Sequence, residues 1–187
     1  MRSPDYFIAR PVKGKRYNNT KNIGGIDFIT STSEEDHRFS NRYAEVISTP
    51  IKYNGTIVEG DILLVHHNTF KFYNDIKGRQ KSGKSFFKDD LFFIEPDQFF
   101  LYKHDDKWHA HDRYCFVEPI PPTASYIFKN IKEEPLIGVM RYPNKLLLDS
   151  GVNPGDTICF KPDSEYEFEV EGKKMYRMFD HQITMVI

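Results

Sequence analysis

The chain is poor in cysteine and tryptophan, with two and one in 187 residues. Cys115 and Cys159 sit in separate apolar, strand-like runs, which excludes a disulfide-stapled scaffold and reads as two free, buried thiols. Long apolar runs are missing too: no window approaches the roughly 20 consecutive residues that a membrane helix requires, so no membrane association is expected. The opening MRSPDYFIARPV holds no apolar core of signal-peptide length, which sets the expected location as cytoplasmic and removes any glycosylation reading of the Asn-x-Thr triplets at Asn18 and Asn54. An excess of charge of either sign is absent. Twenty-six basic and 27 acidic residues leave a net charge of −1, which excludes the broad basic field that drives nucleic-acid binding. No Ser/His/Asp or paired-carboxylate constellation stands out, so no catalytic residue, no cofactor and no enzymatic activity are expected.

What is abundant is aromatic residues, at 15% with 16 Phe and 11 Tyr, a composition that favours strands over helices and supplies apolar area for cores. Helical periodicity is slight. Period-2 alternation is clear in Thr69-Phe70-Lys71-Phe72-Tyr73 and in Tyr166-Glu167-Phe168-Glu169-Val170, where Gly172 then opens a hairpin. Strands are predicted near 5–12, 43–49, 61–67, 69–74, 90–94, 97–103, 107–118, 136–142, 157–161, 166–170, 173–178 and 181–187. The fold class is all-β. A short polar link, Lys103-His104-Asp105-Asp106-Lys107, divides the chain into 1–104 and 105–187, and its brevity predicts close coupling of the two parts.

Two motifs invite chemistry and are set aside. Gly78-x-x-x-x-Gly83-Lys84-Ser85 satisfies the phosphate-binding loop pattern, but such a loop follows a buried parallel strand and opens a helix, whereas Phe86-Phe87-Lys88 continues as β-like sequence. His66-His67, His104 and His109-x-His111 suggest metal. A tetrahedral zinc site takes four ligands, commonly with cysteine, and neither cysteine is near these histidines in sequence, so no metal is expected.

The stretch that stands apart is residues 13–42, a long polar segment with one apolar island, Ile23-Gly24-Gly25-Ile26-Asp27-Phe28-Ile29. A connection this long between two strands is uncommon and usually functional. Gly24-Gly25 permits positive φ, and Ile26 and Phe28 alternate around Asp27, so an extended segment would carry both on one face.

Thr20-Lys21-x-x-Gly24-Gly25-Ile26-x-Phe28, placed after a strand ending Arg10-Pro11-Val12, resembles the mobile loop of the ten-kilodalton (GroES-like) co-chaperonins. Tyr43-Ala44-Glu45-Val46-Ile47, Ile57-Val58-Glu59-Gly60-Asp61-Ile62-Leu63-Leu64-Val65 and Phe93-Ile94-Glu95-Pro96-Asp97-Gln98-Phe99-Phe100-Leu101 are similar, in order, to that family's later strands, so the likeness covers roughly residues 5–103. The resemblance implies a small β-barrel that caps a GroEL-like chaperonin ring and assists ATP-dependent folding, with Gly24, Gly25, Ile26, Asp27 and Phe28 as the partner-binding residues. On this reading residues 13–42 are disordered alone and fold on binding. The family has a third apolar residue where this chain has Asp27. A barrel of this kind also occurs in medium-chain dehydrogenases, but the chain has no Gly-x-Gly-x-x-Gly nucleotide fold. The alternative to a co-chaperonin is an oligomeric structural or interaction β-barrel with no chaperonin partner.

An internal repeat runs through the chain. Tyr6–Val12 recurs as Tyr114–Ile120, Glu45–Pro50 as Gly138–Pro143, Val58–Val65 as Asn153–Phe160, and Asp97-Gln98-Phe99 as His181-Gln182-Ile183. The expected architecture is therefore two tandem GroES-like small barrels. The second copy replaces residues 13–42 with a shorter segment, 121–132, that has no Gly-Gly-Ile, and it lacks the longer basic loop of the first copy, which resembles the family's roof hairpin at 76–90. The family ring is a heptamer of single-domain subunits. Doubled subunits are known in plastids, but no transit-like leader appears here, so a phage or bacterial source is expected. Since some phages carry their own divergent co-chaperonin, phage capsid protein is the implied client. A seven-position ring cannot be filled by paired barrels, so the first copy alone is expected to form it, through pairing of Tyr6–Val12 with a neighbour's Gln98–Tyr102.

Overall fold

Antiparallel strands build both halves of the chain. A computed structural model describes residues 1–18, 20–29, 39–122 and 133–187, and only the backbone of 20–22 and 27–29. It divides into units Met1–Lys107 and Trp108–Ile187. The first contains β1 (Phe7–Pro11), β2 (Thr20–Ile23), β3 (Ile26–Ile29), β4 (Tyr43–Ser48), β5 (Ile62–Val65), β6 (Phe72–Asn74), β7 (Gln80–Ser82), β8 (Phe86–Lys88), β9 (Leu91–Ile94) and β10 (Phe99–His104). Strand β11 (Lys107–Ala110) begins at the boundary. The second contains β12 (Tyr114–Pro119), β13 (Ile137–Tyr142), helix α1 (Lys145–Asp149), β14 (Thr157–Phe160), β15 (Tyr166–Val170), β16 (Lys173–Phe179) and β17 (Ile183–Val186). Among the described residues no helix is long and apolar enough to cross a membrane.

The two units repeat one strand order. In the first the sheet runs β10-β5-β4-β1-β9-β8, and in the second it runs β17-β14-β13-β12-β16-β15. The likeness extends to single residues. The β1/β4 ladder slips between Ile8 and Ala9, and the β12/β13 ladder slips between Phe116 and Val117, the repeat-equivalent pair. Gly60 (φ +94°) and Gly155 (φ +98°) occupy the left-handed position that favours glycine. Their amides donate to the carbonyls of Val46 and Met140, and Asp61 and Asp156 each accept the amide three residues earlier with a side-chain oxygen. Gln98 and Gln182 each fold back to accept the amide of residue 95 or 179.

This register corrects the sequence alignment by one position. Matching Pro50 with Pro143 had set Val46 against Val139, but Ala9 faces Val46 and Val117 faces Met140, so the equivalent residues are Val46 and Met140. Prolines outside the ladder do not define register, whereas hydrogen bonds do. After β13, Asn144 caps α1 by accepting the Leu147 amide. The sequence reading placed no helix there, because one turn is too short to show a period.

Alternation explains the cores. Along β4, Ala44, Val46 and Ser48 are buried while Tyr43, Glu45 and Ile47 are half-buried. Ala44 and Val46 join Phe7, Ala9, Leu63, Val65, Phe70, Phe92, Ile94 and Phe99 in the first core. Phe7 meets Phe99 and Phe70 meets Phe92 edge-on, with ring centroids 5.5 and 4.8 Å apart. The second core gathers Cys115, Val117, Met140, Leu147, Ile158, Phe160 and Met178.

Three further expectations change. The strand expected at 107–118 breaks at His111–Arg113, where Asp112 turns at φ +52°. Thr69–Lys71 is a turn, with the strand confined to Phe72–Asn74. Finally, β1 is no sheet edge. Phe7–Ala9 pair with Phe92–Ile94 on one side, and Ile8–Pro11 pair with Ala44–Ser48 on the other, so Tyr6–Val12 is not open to a neighbour's last strand.

Candidate functional site

The apolar island of residues 23–29 folds as part of a hairpin. β2 and β3 form a two-stranded sheet of their own, with Thr20 opposite Ile29, Lys21 opposite Phe28, Asn22 opposite Asp27 and Ile23 opposite Ile26. The two-residue turn is Gly24-Gly25, at φ +61° and +87°. Positive φ at both central residues is the turn whose twist suits a tight hairpin, and glycine adopts it without strain. A Cβ at either glycine would meet nothing within 4 Å, so conformation rather than space selects glycine there.

The sequence-derived site is therefore brought together, on one hairpin, and with a different partition. Gly24 and Gly25 make the turn. Ile26, Asp27 and Phe28 belong to its second strand, as the extended reading expected. The side chains of Asp27 and Phe28 lie outside the described residues, as do positions 30–38 of the same loop and 123–132 of the second copy's replacement segment. Ile23 is the residue that sequence reasoning missed. It is 56% exposed and Ile26 is 63% exposed, so the tip carries two uncovered isoleucines across one turn. The signal was present, since Gly-Gly flanked by apolar residues is a hairpin signature.

The ends of the 13–42 segment are anchored, which corrects the expectation of disorder for that part. Tyr17 is buried and bridges to Ser40, and the Asn18 and Asn41 amides donate to the carbonyls of Phe39 and Arg16. Asn41, 4% exposed, donates through Nδ2 to the carbonyls of Val12 (3.0 Å) and Lys15 (2.7 Å), while its Oδ1 accepts the Tyr43 amide. One side chain thus ties both ends of the loop. The Arg16 guanidinium lies 4.1, 5.0 and 4.7 Å from the rings of Phe72, Phe86 and Phe92 and donates to Ser82 Oγ at 2.8 Å. Burial lowers its pKa from the usual arginine value, with Asp90 and Tyr17 working in the other direction. Tyr17 Oη accepts the Phe72 amide. Loop root and roof-like segment are joined by these contacts.

That roof-like segment contains a second hairpin, β6 with β7. Asp75 Oδ1 accepts the amides of Lys77 and Arg79 across its tip, and Lys81 approaches the same carboxylate at 3.6 Å. The phosphate-loop pattern falls across it. Gln80–Ser82 is a strand and Lys84 is followed by β8, so the Gly78–Ser85 stretch opens no helix. Lys84 and Ser85 do line a cavity of about 430 Å³ with His66, Thr69, Lys71 and Asp97.

The remaining candidates carry little chemistry. Among the described residues no three His, Cys, Asp or Glu side chains gather in a metal-binding group. His104 Nδ1 lies 3.0 and 3.1 Å from the Asp61 carboxylate oxygens, inside the first unit. Burial pushes the Cys115 thiol up to about 12, which holds it protonated and unreactive at neutral pH. No protein-family model matches the chain, and no curated protein matches it.

Proposed function

We propose that the protein is a co-chaperonin that caps a GroEL-like chaperonin ring by presenting the residue 20–29 hairpin, with each unit folded as a small barrel. The observation that carries this reading is the hairpin tip: two isoleucines, 56% and 63% exposed, on a sheet separate from either core. Exposed apolar side chains are common singly, but a pair held across a tight turn on an otherwise polar loop is a shape made for a groove.

The mechanism follows from the size of that contact. Covering a half-exposed isoleucine contributes on the order of 1 kcal/mol, so one tip binds weakly. Several tips on one ring engage together, and effective concentration makes the assembly tight while each contact stays weak enough to release. The clamp at Asn41 and Arg16 fixes where the hairpin leaves the sheet, which lowers the ordering cost at each binding event. Ring formation by the first unit must use strands other than β1. The second unit, without a matching loop motif, does not contact the chaperonin. Phage capsid protein is the proposed client.

The test is co-sedimentation with a purified bacterial GroEL-type chaperonin in the presence of ATP. The wild type is expected to bind, and Ile26→Ala with Phe28→Ala is expected to lose binding while its circular dichroism and melting are unchanged. Equal binding by that variant would overturn the reading.

A further inference from the structure

We infer that Ile23 is a second anchor, equal in weight to Ile26, and that the partner groove takes the hairpin tip with both strands rather than one extended strand. The inference rests on the chaperonin reading and sharpens what that partner must look like.

Register sets the two isoleucines side by side. A two-residue turn makes its flanking residues the nearest cross-strand pair, with Cβ atoms about 5 Å apart on one face. Ile23 and Ile26 are that pair. A groove deep enough to cover Ile26 therefore meets Ile23 at the same depth. The bland explanation, that Ile23 serves the fold, fails on exposure, since a side chain 56% open on a separate two-stranded sheet adds little to either core. Another hairpin provides the contrast. Ile76, at the tip of the β6/β7 hairpin, is fully exposed, but its neighbours are Asp75 and Lys77 and no apolar residue faces it across that turn. Exposure alone does not make an anchor; the cross-strand pair does. Asn22 opposite Asp27 is the next pair along the ladder and belongs to the other face by alternation, while Lys21 opposite Phe28 is the next pair at register positions shared with Ile23 and Ile26.

Binding of the full-length protein to a purified bacterial GroEL-type chaperonin with ATP, by titration calorimetry, tests this. Ile23→Val should bind within about twofold of the wild type, Ile23→Ala about tenfold more weakly, and Ile23→Lys below detection, from the apolar area each removes or charges. Melting temperatures should be unchanged throughout, because Ile23 is outside both cores. If Ile23→Ala and Ile23→Lys bind like the wild type while Ile26→Ala with Phe28→Ala does not, the second anchor is wrong and the chaperonin reading stands. If the wild type does not bind, or the Ile26/Phe28 variant binds equally well, the chaperonin reading fails and this inference with it.

Discussion

Asp180 shows how much one buried side chain can decide. Its carboxylate, 4% exposed, accepts from Arg113 Nη2 at 2.8 Å and from Asn144 Nδ2 at 2.9 Å, and Asn144 in turn caps α1 and donates to the Asp112 carbonyl. Burial opposes the charge, but the hydrogen bonds from Arg113 and Asn144 outweigh it and hold the carboxyl below the usual Asp value. A depressed folded pKa gives stability that is fully present above the unfolded value, about 3.9, and is lost as pH falls through the folded one. The second unit should therefore weaken below about pH 4. Asp180→Asn should be less stable at neutral pH by about 1–3 kcal/mol, with a flatter acid limb. Urea denaturation between pH 2 and 7 checks this, and parallel pH profiles for the two proteins would contradict it. The same scale explains Gly138, where a Cβ would come within 2.3 Å of Val117 Cγ1 and 2.9 Å of the Glu118 carbonyl.

Among the elements, most of the longer strands were legible in the sequence, and the β2/β3 hairpin only through its Gly-Gly turn and the alternation of Ile26 and Phe28. Period-2 alternation in β15 and the Gly-Asp turns at Gly60 and Gly155 announced themselves, because each is set by local sterics that no distant contact overrides. The first strand of the β2/β3 hairpin, Thr20-Lys21-Asn22-Ile23, has no apolar alternation to announce it. The ends of the 13–42 segment were read as part of a disordered loop because the tie that anchors them, Asn41 to Val12 and Lys15, spans 29 and 26 residues. That tie can be cut. Asn41→Ala leaves two carbonyls without their buried donor and should cost about 1–3 kcal/mol. It should also speed amide exchange at Arg16–Asn18 and Phe39–Asn41 more than in the core strands. Uniform exchange throughout the first unit would show that the clamp has no local role.

At the scale of the whole molecule, two units share one strand order, and among the described residues the separate β2/β3 hairpin belongs to the first of them. In the first unit β1 lies between β4 and β9 and is no edge, and the strand rows end at β8 in that unit and at β15 and β17 in the second. If the first unit alone forms the ring that the family likeness implies, light scattering should give about seven times 22.0 kDa, whereas three or four times that mass would place both units in the ring. A concentration-independent monomer would refute ring assembly. The measurement that bears most directly on the central claim is electron microscopy of a bacterial GroEL-type chaperonin mixed with this protein and ATP. The account predicts a cap on the chaperonin's end contacting its apical face through the residue 20–29 hairpin, and no cap with Ile26→Ala and Phe28→Ala; bare rings with the wild type, or caps that persist with the variant, would contradict it.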